Sequence, residues 1–85
     1  MRMIQLARLK IGLRRFLAED TSAEVVLTWD ADEGYLDIKC GGRGMDITFP
    51  PDAFNKDGDL LTAEEKQDMV DTLQAIVNEH NAQVE

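Results

Sequence analysis

Oxygen-bearing side chains crowd one short stretch, Asn55-Lys56-Asp57-Gly58-Asp59-Leu60-Leu61-Thr62-Ala63-Glu64. Carboxylate and amide oxygens spaced around a glycine are the ligands a hard cation such as calcium takes, which makes Asn55, Asp57 and Glu64 the metal candidates. The same letters also read as a polar turn, for which Asp-Gly is ordinary chemistry, followed by a capped helix. A second series of carboxylates is Glu64, Asp68, Asp71 and Glu79. Their spacing puts them on one side of a helix, where residues three or four apart have Cβ atoms about 5–6 Å from one another. That is close in scale to the spacing of phosphates along a nucleic-acid strand, so the stripe is a candidate partner-binding surface; the plainer reading is a solvated helix face. The other reactive types are single. His80 is the only histidine, and with no second histidine or cysteine beside it a zinc set does not form; at a helix end it would meet the dipole or close the core. Cys40 is the only cysteine and falls on the inward side of a strand, where free cysteines act as small core residues. Nucleophilic triads need a histidine beside Ser or Cys. Asp30 and Asp32 sit in turns, where water keeps both ionised instead of splitting their pKa values. The expectation is a protein that is not an enzyme and carries no cofactor and no metal.

The stretch Asn55 to Glu64 resembles the middle and end of an EF-hand loop. With Gly58 at the sixth position, Asn55 and Asp57 fall at the third and fifth, Leu60 at the eighth and Glu64 at the twelfth. The resemblance implies a calcium-responsive module over 53–64. The pattern departs from the family at the first position, normally a carboxylate and here Ala53, and the entering helix is replaced by a strand ending in Pro50-Pro51. Asp52 would substitute only by moving the backbone. Tight calcium binding is therefore not expected.

Eighty-five residues make one domain, 1–85, and suffice for a core without a metal or a disulfide. A lone cysteine excludes an intrachain disulfide and suits a reducing, cytoplasmic setting. No apolar run approaches the ~20 residues of a membrane span, and no signal-peptide core is apparent. The charge is uneven. Residues 1–18 hold Arg2, Arg8, Lys10, Arg14 and Arg15 and no acid; residues 19–85 hold all 17 acids against Lys39, Arg43, Lys56 and Lys66, which is 4 − 17 = −13. A surface this acidic repels phosphate backbones, so no direct nucleic-acid binding is expected, and a protein partner with a basic surface is.

These residues must be held by five elements. Val25, Leu27 and Trp29 alternate with Glu24, Val26, Thr28 and Asp30, predicting a strand over 24–30 with one covered face. Leu36, Ile38 and Cys40 repeat the pattern over 35–40, and Met45, Ile47 and Phe49 over 45–49. Short turns at 31–34 and 41–44 favour an antiparallel meander, which Pro50-Pro51 ends. A helix is predicted over 3–18, with Leu6, Leu9, Leu13, Phe16 and Leu17 on its inward stripe. Ile4, Ala7 and Ile11 fall on the opposite side, bordered by Arg8 and Arg15, and form a candidate oligomer or partner interface, with a homodimer expected. Asp52–Leu61 reads as a polar loop. Thr62 and Glu65 form a capping box that starts a helix over 63–81. The fold class is α+β: a two-layer domain of order α-β-β-β-α, a three-stranded antiparallel meander covered on one face by two helices.

That order resembles double-stranded RNA-binding domains. Their lysine cluster at the start of the second helix corresponds here to Thr62-Ala63-Glu64-Glu65-Lys66-Gln67-Asp68, of reversed sign, so the topology carries over and the activity does not. In size, charge and element order the chain is also similar to some phage anti-CRISPR proteins, several of which mimic nucleic acid in a basic groove, and to the longer acidic chaperones of type III secretion. The anti-CRISPR resemblance implies an inhibitor of a host nucleic-acid-binding defence protein, encoded by a phage or mobile element and acting in the host cytoplasm. The chaperone resemblance implies a small chaperone or adaptor subunit.

Overall fold

Seven elements follow one another: β1 (Arg2–Met3), α1 (Leu6–Ala18), β2 (Val25–Asp30), β3 (Tyr35–Cys40), β4 (Arg43–Thr48), β5 (Ala53–Phe54) and α2 (Ala63–Ala82). They are taken from a computed structural model that describes residues 2–84. Met1 and Glu85, the two ends of the single domain expected over 1–85, lie outside the described residues. β2, β3 and β4 form the antiparallel meander with β3 at its centre, and the two helices lie on one face of it, so the α+β architecture is the one the alternation predicts. Among the described residues no helix is long and apolar enough to cross a membrane.

The core gathers between the two helices and the sheet. Leu36, Ile38 and Cys40 of β3 are fully buried, as are Leu13 of α1 and Leu73 of α2. On the edge strands Leu27, Trp29 and Met45 are half-buried and pack against this core. The ring of Trp29 meets Phe49 edge-on, centroids 5.4 Å apart at 82°, an arrangement the ring quadrupoles favour. Gly34 turns β2 into β3 at φ 65°, and a Cβ there would lie 2.9 Å from the Phe49 carbonyl oxygen, so no other residue fits without strain.

Three expectations are corrected. The first helix begins at Leu6, not Met3. Arg2 and Ile4 donate their N–H groups to the Asp52 and Phe54 carbonyls at 3.4 and 3.3 Å, and β1 pairs parallel with β5. A helix leaves its first N–H groups without partners; here the extended segment satisfies them. Ile4 therefore leaves the outward stripe and packs against the core. Secondly, 52–61 is not simply a polar loop: it holds β5, buries Ala53 and Leu61, and folds Leu60 back onto Phe54 as an antiparallel bridge. Thirdly, the third strand spans 43–48 instead of 45–49, because Gly41-Gly42 alone make the turn and Arg43 already pairs with Cys40. The ends of β2 and α2 differ from 24–30 and 63–81 by one residue each.

Candidate partner-binding surfaces

The carboxylate stripe begins at a helix end built as the sequence implies. Thr62 Oγ1 accepts the Glu65 N–H at 3.0 Å, and the Thr62 N–H donates to Glu65 Oε1 at 3.1 Å. That backbone bond, with the amide of Asn55 on Glu65 Oε2 at 3.1 Å, holds the Glu65 carboxyl below its usual range. Glu65 is thereby tied to the fold, while Glu64, Asp68, Asp71 and Glu79 are all exposed. They lie opposite Val70, Leu73, Ile76 and Val77, the buried side of α2, so the stripe faces away from the sheet along ~22 Å of helix. Asp71 accepts from Gln67 at 2.9 Å. Among the described residues no cation pairs with any of the four; the Arg43–Glu19 contact at 2.6 Å is elsewhere. Glu79 also borders an open cleft of about 210 Å³ between the C-terminal ends of the helices, lined by Arg14 and His80 among others. His80 Nε2 lies 2.9 Å from the Ala23 carbonyl oxygen, an acceptor only, so that nitrogen carries the proton and ties α2 to the start of the sheet.

In the loop 53–64, Ala53 is a core residue, 1 % exposed, at the position where an EF-hand places its first carboxylate. Asn55 Oδ1 accepts the N–H groups of Asp57 and Asp59 at 2.9 and 3.2 Å, and its amide nitrogen is held by Glu65. Asn55 thus organises the turn. Asp57 and Glu64 are exposed. Among the described residues no three His, Cys, Asp or Glu side chains gather where they could hold a metal ion.

On α1, Ala7, Arg8, Ile11 and Arg15 are exposed, Ile11 to 51 %. With Ile4 half-buried against the core, Ile11 is, among the described residues, the one large apolar side chain of the predicted stripe left exposed.

The outer face of the sheet carries a site the sequence reading passed over. β3 and β4 set Asp37 directly opposite Asp46, and Tyr35 opposite Thr48. Asp46 is held below its usual range by hydrogen bonds from Tyr35 and then from Asp37. The same bonds raise Asp37 and push the Tyr35 phenol up to about 12. Lys39, two residues along β3, adds an attractive charge to both carboxyls. Two like charges opposite one another on adjacent strands are destabilising, and Tyr35, Lys39, Asp46 and Thr48 on this face are exposed.

No protein-family model matches the chain, and no curated protein and no solved structure matches it either.

The stripe on α2 was legible because a helical period needs only spacing. The Asp37–Asp46 pair was not, because it depends on register. A four-residue turn over 41–44 would have set Asp37 opposite Thr48. The two-residue turn Gly41-Gly42 shifts the pairing by two and brings in Asp46.

Proposed function

We propose that this protein is a non-enzymatic acidic module that works by binding a protein with a basic surface, its sharpest form being an inhibitor that occupies the nucleic-acid groove of a host defence protein in the manner of a nucleic-acid mimic. The observation that carries this reading is the exposed stripe Glu64, Asp68, Asp71 and Glu79 on the outward side of α2, with which no cation pairs among the described residues. A row of carboxylates without internal cations keeps its whole field for a partner, where complementarity of sign speeds encounter and selects the target. The use made of the other polar groups supports the non-catalytic part. His80, Asn81 and Arg43 are each bonded to backbone atoms of a distant segment, and Asn55 holds its own turn.

Arg43 also concentrates the charge. It is one of only four cations after Ala18, and its guanidinium is turned inward, 4.5 Å over the Phe16 ring and bonded to the Phe16 carbonyl at 3.0 Å.

The test is capture of binding proteins from a host lysate at low and high salt. It uses the wild type and the variant Glu64→Gln, Asp68→Asn, Asp71→Asn, with nucleic acid as competitor. The expected result is a basic nucleic-acid-binding protein retained by the wild type at low salt, released by competitor, and poorly held by the variant. A captured set unaffected by salt and by the three substitutions refutes the proposal. A second reading, self-association or an adaptor contact through α1, is favoured by the exposure of Ile11 between Arg8 and Arg15, which suits the acidic side of α2 in another copy.

A further inference from the structure

The two edges of the meander are finished differently. At β2 the first outward-facing peptide group is already paired: Asn81 Oδ1 accepts the Val25 N–H at 2.8 Å, and Asn81 Nδ2 donates to the Val25 carbonyl at 2.9 Å. At β4 the corresponding groups are open. The Phe49 N–H donates to the Gly34 carbonyl at 2.8 Å, which makes Phe49 and Gly34 a hydrogen-bonded pair. Pairs alternate along an antiparallel ladder, so Thr48–Tyr35, Asp46–Asp37 and Gly44–Lys39 are of the non-bonded kind. The N–H and C=O groups of Gly44, Asp46 and Thr48 therefore point away from β3. All three residues are exposed, and among the described residues no segment pairs with them. A row of free donors and acceptors about 14 Å long is a template for another strand.

Charge selects the occupant. Twofold pairing of β4 with its copy would bring two Asp46 side chains opposite or diagonal to one another, about 5–8 Å apart, on chains that each carry a net charge of −8. Asp46 already faces Asp37 across the close, non-bonded kind of pair. A lysine or arginine placed opposite Asp46 would project on the same outer face, within reach of both carboxylates, and would relieve their repulsion.

We infer that the open edge of β4 takes an extended, basic segment of a partner protein by strand addition, with alternate lysine or arginine side chains lying on the outer sheet face beside Asp46 and Asp37. This rests on the reading that the partner is basic, and adds which part of the partner docks and where.

The test uses the full chain, labelled for amide NMR, and a synthetic ten-residue peptide alternating lysine and threonine. A second peptide is N-methylated at the alternate residues whose N–H would face β4. The expected result is perturbation and slowed exchange of the Gly44, Asp46 and Thr48 amides, with N-methylation weakening binding by about tenfold or more, since up to three backbone bonds are lost. Suppose the unmodified peptide instead perturbs Glu64, Asp68 and Asp71, and N-methylation leaves its affinity unchanged. The edge assignment is then overturned, while an acidic module for basic partners stands. A peptide that perturbs neither surface overturns both.

Discussion

Asn81 stands in for a missing strand, and removing it should be costly. Asn81→Ala deletes both bonds to Val25. At about 0.5–1.5 kcal/mol net each, the loss should be ~1–3 kcal/mol. Val25 is 4 % exposed, so water replaces the lost partners poorly and the upper half of that range applies. For a domain of this size each kcal/mol lowers Tm by roughly 4–8 °C, so a loss of about 2–3 kcal/mol gives a fall of about 8–24 °C. Asn81→Asp is the sharper probe: a carboxylate still accepts the Val25 N–H but sets an anion against the Val25 carbonyl. At neutral pH it should be at least as damaging as alanine, and it should recover in part as acid restores a donor. The assay is equilibrium urea unfolding, read with amide exchange. The midpoint should fall at unchanged slope, and the Val25 amide should lose protection ahead of the β3 amides. If Asn81→Ala unfolds within about 0.5 kcal/mol of wild type, the level of an ordinary surface change, and Val25 stays protected, then the clamp contributes nothing and the reasoning fails.

Gly12→Ala should stabilise α1 by ~0.5–1 kcal/mol, since alanine suits a helix interior and the added methyl meets Met45 Cε at an ordinary 3.7 Å; a lowered urea midpoint would show that Met45 cannot yield. Asp37→Asn should raise Tm at neutral pH. Asp37's pKa is raised on folding, first by its hydrogen bond with Asp46, so its contribution is fully present below its unfolded pKa and is lost as pH rises through the folded one; asparagine mimics the protonated form throughout, so its advantage over wild type should shrink as pH falls, and a pH-independent difference would argue against the Asp37–Asp46 contact as the cause. Changing Glu64, Asp68 and Asp71 together to amides should leave the far-ultraviolet spectrum intact and slow association with a captured basic partner, most at low salt; stopped-flow rates equal to wild type at every salt concentration would remove the stripe from the contact. Ile11→Glu should convert any sedimenting dimer into a folded monomer, and a wild type that is already monomeric at tens of micromolar would leave the α1 face for a foreign partner.

Local period, capping chemistry and charge could be read from the sequence because each depends on residues near one another in the chain. Alternation over Val25–Asp30 and Tyr35–Cys40 marks the covered face, and Thr62 with Glu65 marks the start of α2 within one turn. The placement of Glu64, Asp68 and Asp71 on an outward face follows from helical geometry alone. What the chain does across long separations came only with the tertiary structure. Arg2–Met3 is helix-like in composition, yet it is drawn out to pair with Ala53–Phe54, because a strand needs a partner that no local pattern announces. Ile4 changes sides for the same reason. Asn81 and His80 read as ordinary polar residues at a helix end, and become fastenings only because α2 delivers them to Val25 and Ala23. The pairing of Asp37 with Asp46 turns on whether two or four residues make the turn at Gly41, a choice between arrangements of the same face that differ only in register. Propensity and period act over a few residues, so the sequence by itself determined the three meander strands, the two helices and the sign of their surfaces, but not the β1–β5 pair. Register, edge closure and the juxtaposition of charges depend on contacts between segments up to 57 residues apart, and only the folded chain decides those.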